Sequence, residues 1–135
     1  MQEFLLGMIW VALGSALGGT ARYFVSGVVG RHIGETFPWG TLTVNVTGAF
    51  TIGLFAALAT ADGVFSSGAS WQFAVIGFLG SYTTVSSFSL QTLALVRDGE
   101  FPRAIGNVAV SLVLCLNAAA LGYATGSAVL GSVLS

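Results

Sequence analysis

Hydroxyl groups are concentrated in residues 80–89, which read GSYTTVSSFS and carry six serine and threonine side chains in addition to Tyr82. The residues on either side are apolar enough to belong to a membrane-spanning segment. In hydrocarbon, a polar group without a partner costs several kcal/mol, so such groups are paired within the protein or face a watery cavity. We therefore predict that this strip lines a route for something that passes through the membrane.

Asn45 is the strongest single polar signal outside this strip, because its amide lies in the middle of an apolar run. The amide offers two N–H donors and one acceptor oxygen. Two interpretations are open for it. It either lines the same route or makes a hydrogen bond between helices, which is worth about 1 kcal/mol in membranes.

Two more segments carry polar groups at helical spacing. Residues 84, 88 and 91 share one face of the third apolar run, and residues 107, 111 and 115 recur every four positions in the fourth. Three helices would then contribute uncharged hydrogen-bond donors to the same route through the membrane. Neutral donors suit a small ion that must also be released, since a buried positive charge would hold an anion too tightly.

The composition identifies the elements that position these groups. Of the 135 residues, 55% are hydrophobic and 7% are charged, and the mean hydropathy is +0.90. A soluble domain carries about 25% charged residues, whereas a membrane span needs roughly 20 apolar positions. We predict an all-α membrane protein with a single domain, 1–135, whose four transmembrane helices cover approximately residues 4–29, 40–60, 71–96 and 102–133. The net charge of −1 argues against a nucleic-acid partner.

The basic residues predict an orientation. Arg31, Arg97 and Arg103 lie in the first and third loops, and Lys is absent from the chain. By the positive-inside rule both termini face away from the cytoplasm. Arg22, near the end of the first helix, is expected to extend toward the same side as Arg31.

The third helix is predicted to be broken near residues 80–84. Thr83, Thr84 and Val85 are β-branched, and the hydroxyl groups compete for backbone partners. Irregular backbone at membrane depth is tolerated where protein surrounds it, and its freed carbonyl oxygens are suitable ligands for a hard cation such as Na⁺.

The chain resembles a known family along its whole length. The segments GTLTVN at 40–45, GFLG at 77–80 and TTVSSFS at 83–89 are similar to the signature sequences of the Fluc, or CrcB, fluoride channels, and GGTAR at 18–22 fits the same pattern. The resemblance implies a fluoride-selective channel in the cell inner (plasma) membrane that lets fluoride leave the cytoplasm passively. It also implies an antiparallel, dual-topology dimer with two pores.

The resemblance further implies roles for individual residues. A structural Na⁺ at the dimer centre would be bound by the backbone carbonyls of Gly80 and Thr83 from both subunits. Asn45 matches the pore amide and Phe88 one of two pore aromatics, whose positive ring edges face the anion. The remaining residues of the expected fluoride pathway are Thr41, Thr84, Val85, Gln91, Ser111 and Cys115.

Three of these positions depart from the family pattern. Val85 stands where a second pore aromatic is usual, Cys115 where Ser is common, and Gln91 where some members have Glu. The one-sided Arg distribution is also unexpected for a chain that inserts in both orientations. The partner is therefore either a second copy, giving an antiparallel homodimer, or an oppositely oriented sister subunit that supplies what Val85 lacks.

Two alternatives come from other classes of protein. A small multidrug-resistance-type exporter also has four short helices, but it needs a carboxylate within the membrane, and the five Asp and Glu residues of this chain lie at ends or in loops. A non-transporting scaffold subunit is favoured if the polar stripes serve only in packing. An enzyme is not expected, because no nucleophile, base and orienting group converge.

Overall fold

The computed structural model describes residues 1–34, 36–60 and 68–134, with side chains described as far as Ser132. Every described element is helical. Helix α1 spans Gln2–Ile33 and α2 spans Trp39–Leu58. Helix α3 covers 68–82 and consists of the turn Gly68–Trp71, the π-helix Gln72–Leu79 and the turn Gly80–Tyr82. Helices α4, Val85–Arg97, and α5, Phe101–Leu134, complete the chain.

Four segments are long and apolar enough to cross a membrane, with α3 and α4 together forming the third. This confirms the prediction of an all-α chain with four spans. Helix α1 continues beyond the expected end at residue 29. Its last turn contains Arg31 and His32, and basic side chains are favourable near the C-terminal end of a helix. The turn expected from Gly30 begins instead at Gly34, whose φ of 102° suits glycine. The turn expected at Asp62 and Gly63 lies outside the described residues.

Helices α2 and α5 approach each other closely at glycine. A methyl group on Gly53 would collide with the carbonyl of Ala119, and one on Gly122 with the carbonyl of Phe50. Such small residues allow membrane helices to pack backbone against backbone. The two helices therefore form one tightly packed pair.

Helix α1 packs against the π-helical part of α3 in the same way. Gly14 and Gly18, the GxxxG step of α1, face the backbone of Phe73 and Phe78, and Gly77 faces the backbone of Val11. A π-helix has a wider turn than an α-helix and is frequently found at functional sites. The contact fixes the position from which the chain enters the hydroxyl-rich strip.

Two extended residues separate α3 from α4. Thr83 has φ −80° and ψ 158°, and Thr84 has φ −153° and ψ 116°. The Thr84 hydroxyl then caps α4 by accepting a hydrogen bond from the Ser87 N–H at 3.1 Å. This capping interaction explains why α4 begins immediately after the extended pair.

Candidate functional site

Asn45 binds the extended backbone between α3 and α4. Its Nδ2 donates to the Thr84 carbonyl at 2.9 Å, and its Oδ1 accepts from the Thr84 N–H at 2.7 Å. Both bonds connect α2 to a residue 39 positions later in the chain. The interhelical interpretation of Asn45 is thus the one that the structure shows, although the amide also lines a cavity and has a second N–H.

These bonds redirect donors that a continuous helix would use elsewhere. In an α-helix the Thr84 N–H would bond to the Gly80 carbonyl and the Ser87 N–H to the Thr83 carbonyl. Here Thr84 N–H is directed to Asn45, and Ser87 N–H to the Thr84 hydroxyl. The Gly80 and Thr83 carbonyls thereby lose their usual helical donors, and they are the two carbonyls that the family resemblance implies as ligands of a cation.

The principal cavity, which we call the main cavity, lies beside this extended segment and has a volume of about 540 Å³. Helices α2, α4 and α5 supply most of its wall. It brings together most of the predicted site residues, namely Asn45, Gly80, Thr83, Thr84, Val85, Phe88, Ser111 and Cys115. The rest of the wall is mainly apolar and was not predicted: Gly48, Ala49, Ile52, Val75, Leu79, Val108 and Leu112.

Thr41 and Gln91 are not in the main cavity. They line a second cavity of about 430 Å³ with α1 residues and Ser87. A smaller connecting cavity, of about 200 Å³, shares Thr41 and Ser87 with the second cavity and Thr84 with the main cavity. The predicted pathway residues therefore line three neighbouring cavities, and Arg22, which the sequence left without a clear role, lines the connecting one.

The polar stripe on α5 divides into two parts. Asn107 is only 1% exposed and donates from Nδ2 to the Thr92 hydroxyl at 2.8 Å. The Ser111 hydroxyl donates to Asn107 Oδ1 at 3.4 Å, and Thr92 in turn donates to the Phe88 carbonyl at 2.7 Å. Asn107 thus attaches α4 to α5, whereas Ser111 and Cys115 reach the main cavity. Thr92 was missed because a single Thr on a helix gives no distinguishing signal.

Helix α4 has an uncovered surface. It contains no buried residue, and Val85, at the edge of the main cavity, is 76% exposed. The hydroxyls of Ser86 and Ser89 and the amide of Gln91 are exposed as well. A polar face within an apolar span is expected to meet protein or water rather than lipid.

Apart from Arg22 in the connecting cavity, the side chains that line the three cavities are uncharged. Among the described residues, no group of three or more His, Cys, Asp or Glu side chains converges to hold a metal ion. The hard ligands that the site offers are backbone carbonyls, which suit Na⁺ and similar cations rather than transition metals.

Comparison with known proteins identifies the family. A family model described as "CrcB-like protein, Camphor Resistance (CrcB)" matches residues 9–123. The chain belongs to the CrcB family. It is 66% identical to "Fluoride-specific ion channel FluC 2" of Rhodopseudomonas palustris (strain BisB18) over 125 residues, which cover 92% of this chain and 95% of that protein.

Other members of the family are also similar over most of their length. "Fluoride-specific ion channel FluC 2" of Bradyrhizobium diazoefficiens is 63% identical, with 88% of each chain covered. "Fluoride-specific ion channel FluC" of Opitutus terrae is 56% identical, with 85% of this chain and 88% of that protein covered. The resemblance to the CrcB family is confirmed, and with four apolar spans the chain is a multi-pass membrane protein.

Proposed function

We propose that this CrcB-family chain is a fluoride-selective channel that lets fluoride leave the cytoplasm passively across the inner membrane. The observation that carries the proposal is a series of three neighbouring cavities whose polar lining comes from α1, α2, α4 and α5 and, apart from Arg22, carries no charge. The names of the relatives, which are fluoride-specific ion channels, support the same function.

The lining suits a small, strongly hydrated anion. Fluoride must exchange water for other donors, and the Thr41 hydroxyl and the second N–H of Asn45 are donors without a full charge. The hydroxyls of Thr84 and Ser111, which donate to Ser87 and Asn107 in the single chain, would have to turn toward the ion. The ring of Phe88 lines the main cavity, and the edge of an aromatic ring has the positive character that suits an anion. Arg22, at the connecting cavity, supplies a positive charge outside the apolar part of the lining and would attract anions to it.

The functional unit is proposed to be an antiparallel assembly of two chains, with the extended residues Thr83 and Thr84 near the middle of the membrane. Supporting this, α4 has no buried residue in the single chain, and its exposed serines would otherwise contact lipid. The wide main cavity would be narrowed by the same partner, because its exposed edge includes Val85 and Leu112.

A Na⁺ ion at the centre of that assembly is proposed to be bound by the Gly80 and Thr83 carbonyls of both chains. The support is that both carbonyls have lost their usual helical donors to Asn45 and to the Thr84 hydroxyl. Na⁺ would supply positive charge that neutralises these carbonyl dipoles at membrane depth.

The partner is proposed to be either a second copy or an oppositely oriented sister chain. All four Arg residues belong to the C-terminal half of α1, the end of α4 or the start of α5, so they favour one orientation. A chain with a single orientation needs a partner of opposite bias to form an antiparallel pair. Expression of this chain alone decides the question, because full fluoride efflux would show that no sister chain is required.

The test is fluoride efflux from proteoliposomes that contain the purified protein, followed with a fluoride electrode. Rapid fluoride release with no matching chloride release is the expected result. Protein-free vesicles give the background. Equal release of the two halides, or release no faster than background, would show that the proposed function is wrong.

A further inference from the structure

The residues that precede Thr83 make a second set of contacts with α2. Tyr82 is the last helical residue of α3, and its hydroxyl lies 3.0 Å from the Thr47 hydroxyl. The Thr83 methyl packs directly against Gly48. Together with the bonds from Asn45 to Thr84, one short stretch of α2 thus holds three successive residues, which are the last residue of α3 and the two extended residues after it.

The direction of the hydrogen bond between Tyr82 and Thr47 follows from a second bond. The Thr47 hydroxyl donates its only hydrogen to the Thr43 carbonyl, at 2.8 Å. With that hydrogen engaged, we assign Thr47 as the acceptor and the Tyr82 phenol as the donor. Thr47 is well placed for this role because its back-bond to Thr43 already fixes its rotamer.

The Tyr82 ring is held from the other side by α3. It stacks on Phe78, with ring centres 5.8 Å apart and planes 11° apart, and the Phe78 backbone packs on Gly18 of α1. The ring therefore joins the α1–α3 pair to α2 at the residue whose backbone leads directly into Thr83. A change in φ or ψ of Tyr82 would turn the peptide groups on either side of it and would carry the ring away from both partners.

We propose that Tyr82 and Thr47 are a positioning pair that holds the Gly80 and Thr83 carbonyls in the orientation that binds a cation. The inference rests on the Na⁺ site under the proposed function and adds residues that do not touch the ion. Asn45 fixes the residue that follows Thr83, through its two bonds to Thr84, and the bond between Tyr82 and Thr47 fixes the residue that precedes it. The carbonyls between them then have little freedom to turn back into a helix.

The test measures cation affinity apart from transport. Purified protein in detergent is titrated with Na⁺ at constant ionic strength, with N-methylglucamine as the replacement, and the Tm is recorded at each concentration. Binding to the folded protein raises the free energy of unfolding by RT ln(1 + [Na⁺]/Kd), so Tm begins to climb at Na⁺ concentrations near Kd, and we call the Kd fitted to this curve the Na⁺ midpoint. Tyr82→Phe removes the donor and Thr47→Val the acceptor, while each keeps the shape of its side chain.

Each single variant is expected to raise the Na⁺ midpoint about threefold, which is the effect of an average interhelical hydrogen bond in a membrane protein. Tm in the absence of Na⁺ should stay that of the wild type, and the variants should fall below the wild type only as Na⁺ is added. The double variant should match either single one, because both remove the same bond. Thr47→Ser keeps the acceptor and should restore the wild-type midpoint, and Tyr123→Phe on α5 is the matched control.

Two results would overturn the inference. One is an unchanged Na⁺ midpoint in Tyr82→Phe. The other is a Tm lowered by the same amount at every Na⁺ concentration, which would indicate a purely structural bond. A wild-type Tm that does not respond to Na⁺ would remove the cation site and this inference together, while the fluoride measurement still stands on its own. Absence of fluoride flux with an intact Na⁺ response would refute the channel alone.

Discussion

Helices α2 and α5 are joined by backbone contacts at glycine, whereas the contact between α4 and α5 includes a hydrogen bond between polar side chains. Gly53 and Gly122 leave no room for a methyl group, so the first contact is fixed by shape. The second includes the bond from Asn107 to Thr92, and α4 itself has no buried residue. One region is complete in the single chain, and the other has an uncovered face.

The difference indicates that the α2–α5 pair contributes mainly to the stability of the fold, whereas α4 contributes side chains to the cavities. Without a hydrophobic driving force between helices in lipid, close packing at small residues is the principal source of stability. Helix α4 carries Phe88 and its polar neighbours to the main cavity, and the hydrogen bond from Asn107 to Thr92 joins it to α5. The α2–α5 pair should therefore be intolerant of added volume, and α4 intolerant of lost polarity.

The largest expected effect is on folding. Gly122→Leu would force a side chain into the carbonyl of Phe50 and separate α2 from α5, so we expect loss of the monodisperse protein on size-exclusion chromatography in detergent. Gly131→Leu is the matched control, since nothing lies near Gly131. A well-folded Gly122→Leu protein would contradict the view that glycine contacts fix this pair.

The next effect is on transport. Asn45→Leu removes both bonds to the Thr84 backbone. The loss destabilises the extended conformation of this segment by about 3 kcal/mol, which is about a hundredfold in the equilibrium constant. We expect fluoride efflux to fall to background while the variant elutes at the wild-type position on size-exclusion chromatography. Asn117→Leu changes an exposed amide that bonds only within α5, and it should leave flux unaffected. Unchanged flux in Asn45→Leu would count against the pore assignment.

A smaller effect is expected at the aromatic of the main cavity. Phe88→Ile keeps the apolar volume but removes the ring edge, and efflux should slow by about tenfold. Phe24→Ile, at an exposed position of α1, serves as the control. Equal rates in the two variants would indicate that Phe88 acts through bulk rather than through its ring.

The smallest effect tests how α4 is attached. Asn107→Leu leaves Thr92 and Ser111 without their common partner and should lower the free energy of unfolding by about 1–2 kcal/mol. Thermal unfolding in detergent measures the change. The Asn117→Leu variant is again the reference, with an expected change below about 0.5 kcal/mol. Similar values for both would mean that apolar contacts, not this network, hold α4.

Much of the site was accessible from the sequence because its signals are local. Hydroxyl density marked residues 80–89, and an isolated amide marked Asn45, since polar groups are rare in apolar runs. The two interpretations of Asn45 could not be separated, because its partner lies 39 residues away. Thr41 and Gln91 were grouped with the main cavity from their helical faces, but the cavity that they line also needs residues of α1.

The sequence by itself determined that the chain is all-helical, crosses a membrane four times and carries a polar strip in its third span. Those properties depend on composition and on residues close together in the chain. Only the tertiary structure decided that Asn45 binds the Thr84 backbone, that Tyr82 reaches Thr47, and that Asn107 is a packing residue. These pairings depend on the rotation and approach of whole helices, which the backbone contacts at glycine set over distances that no local pattern encodes.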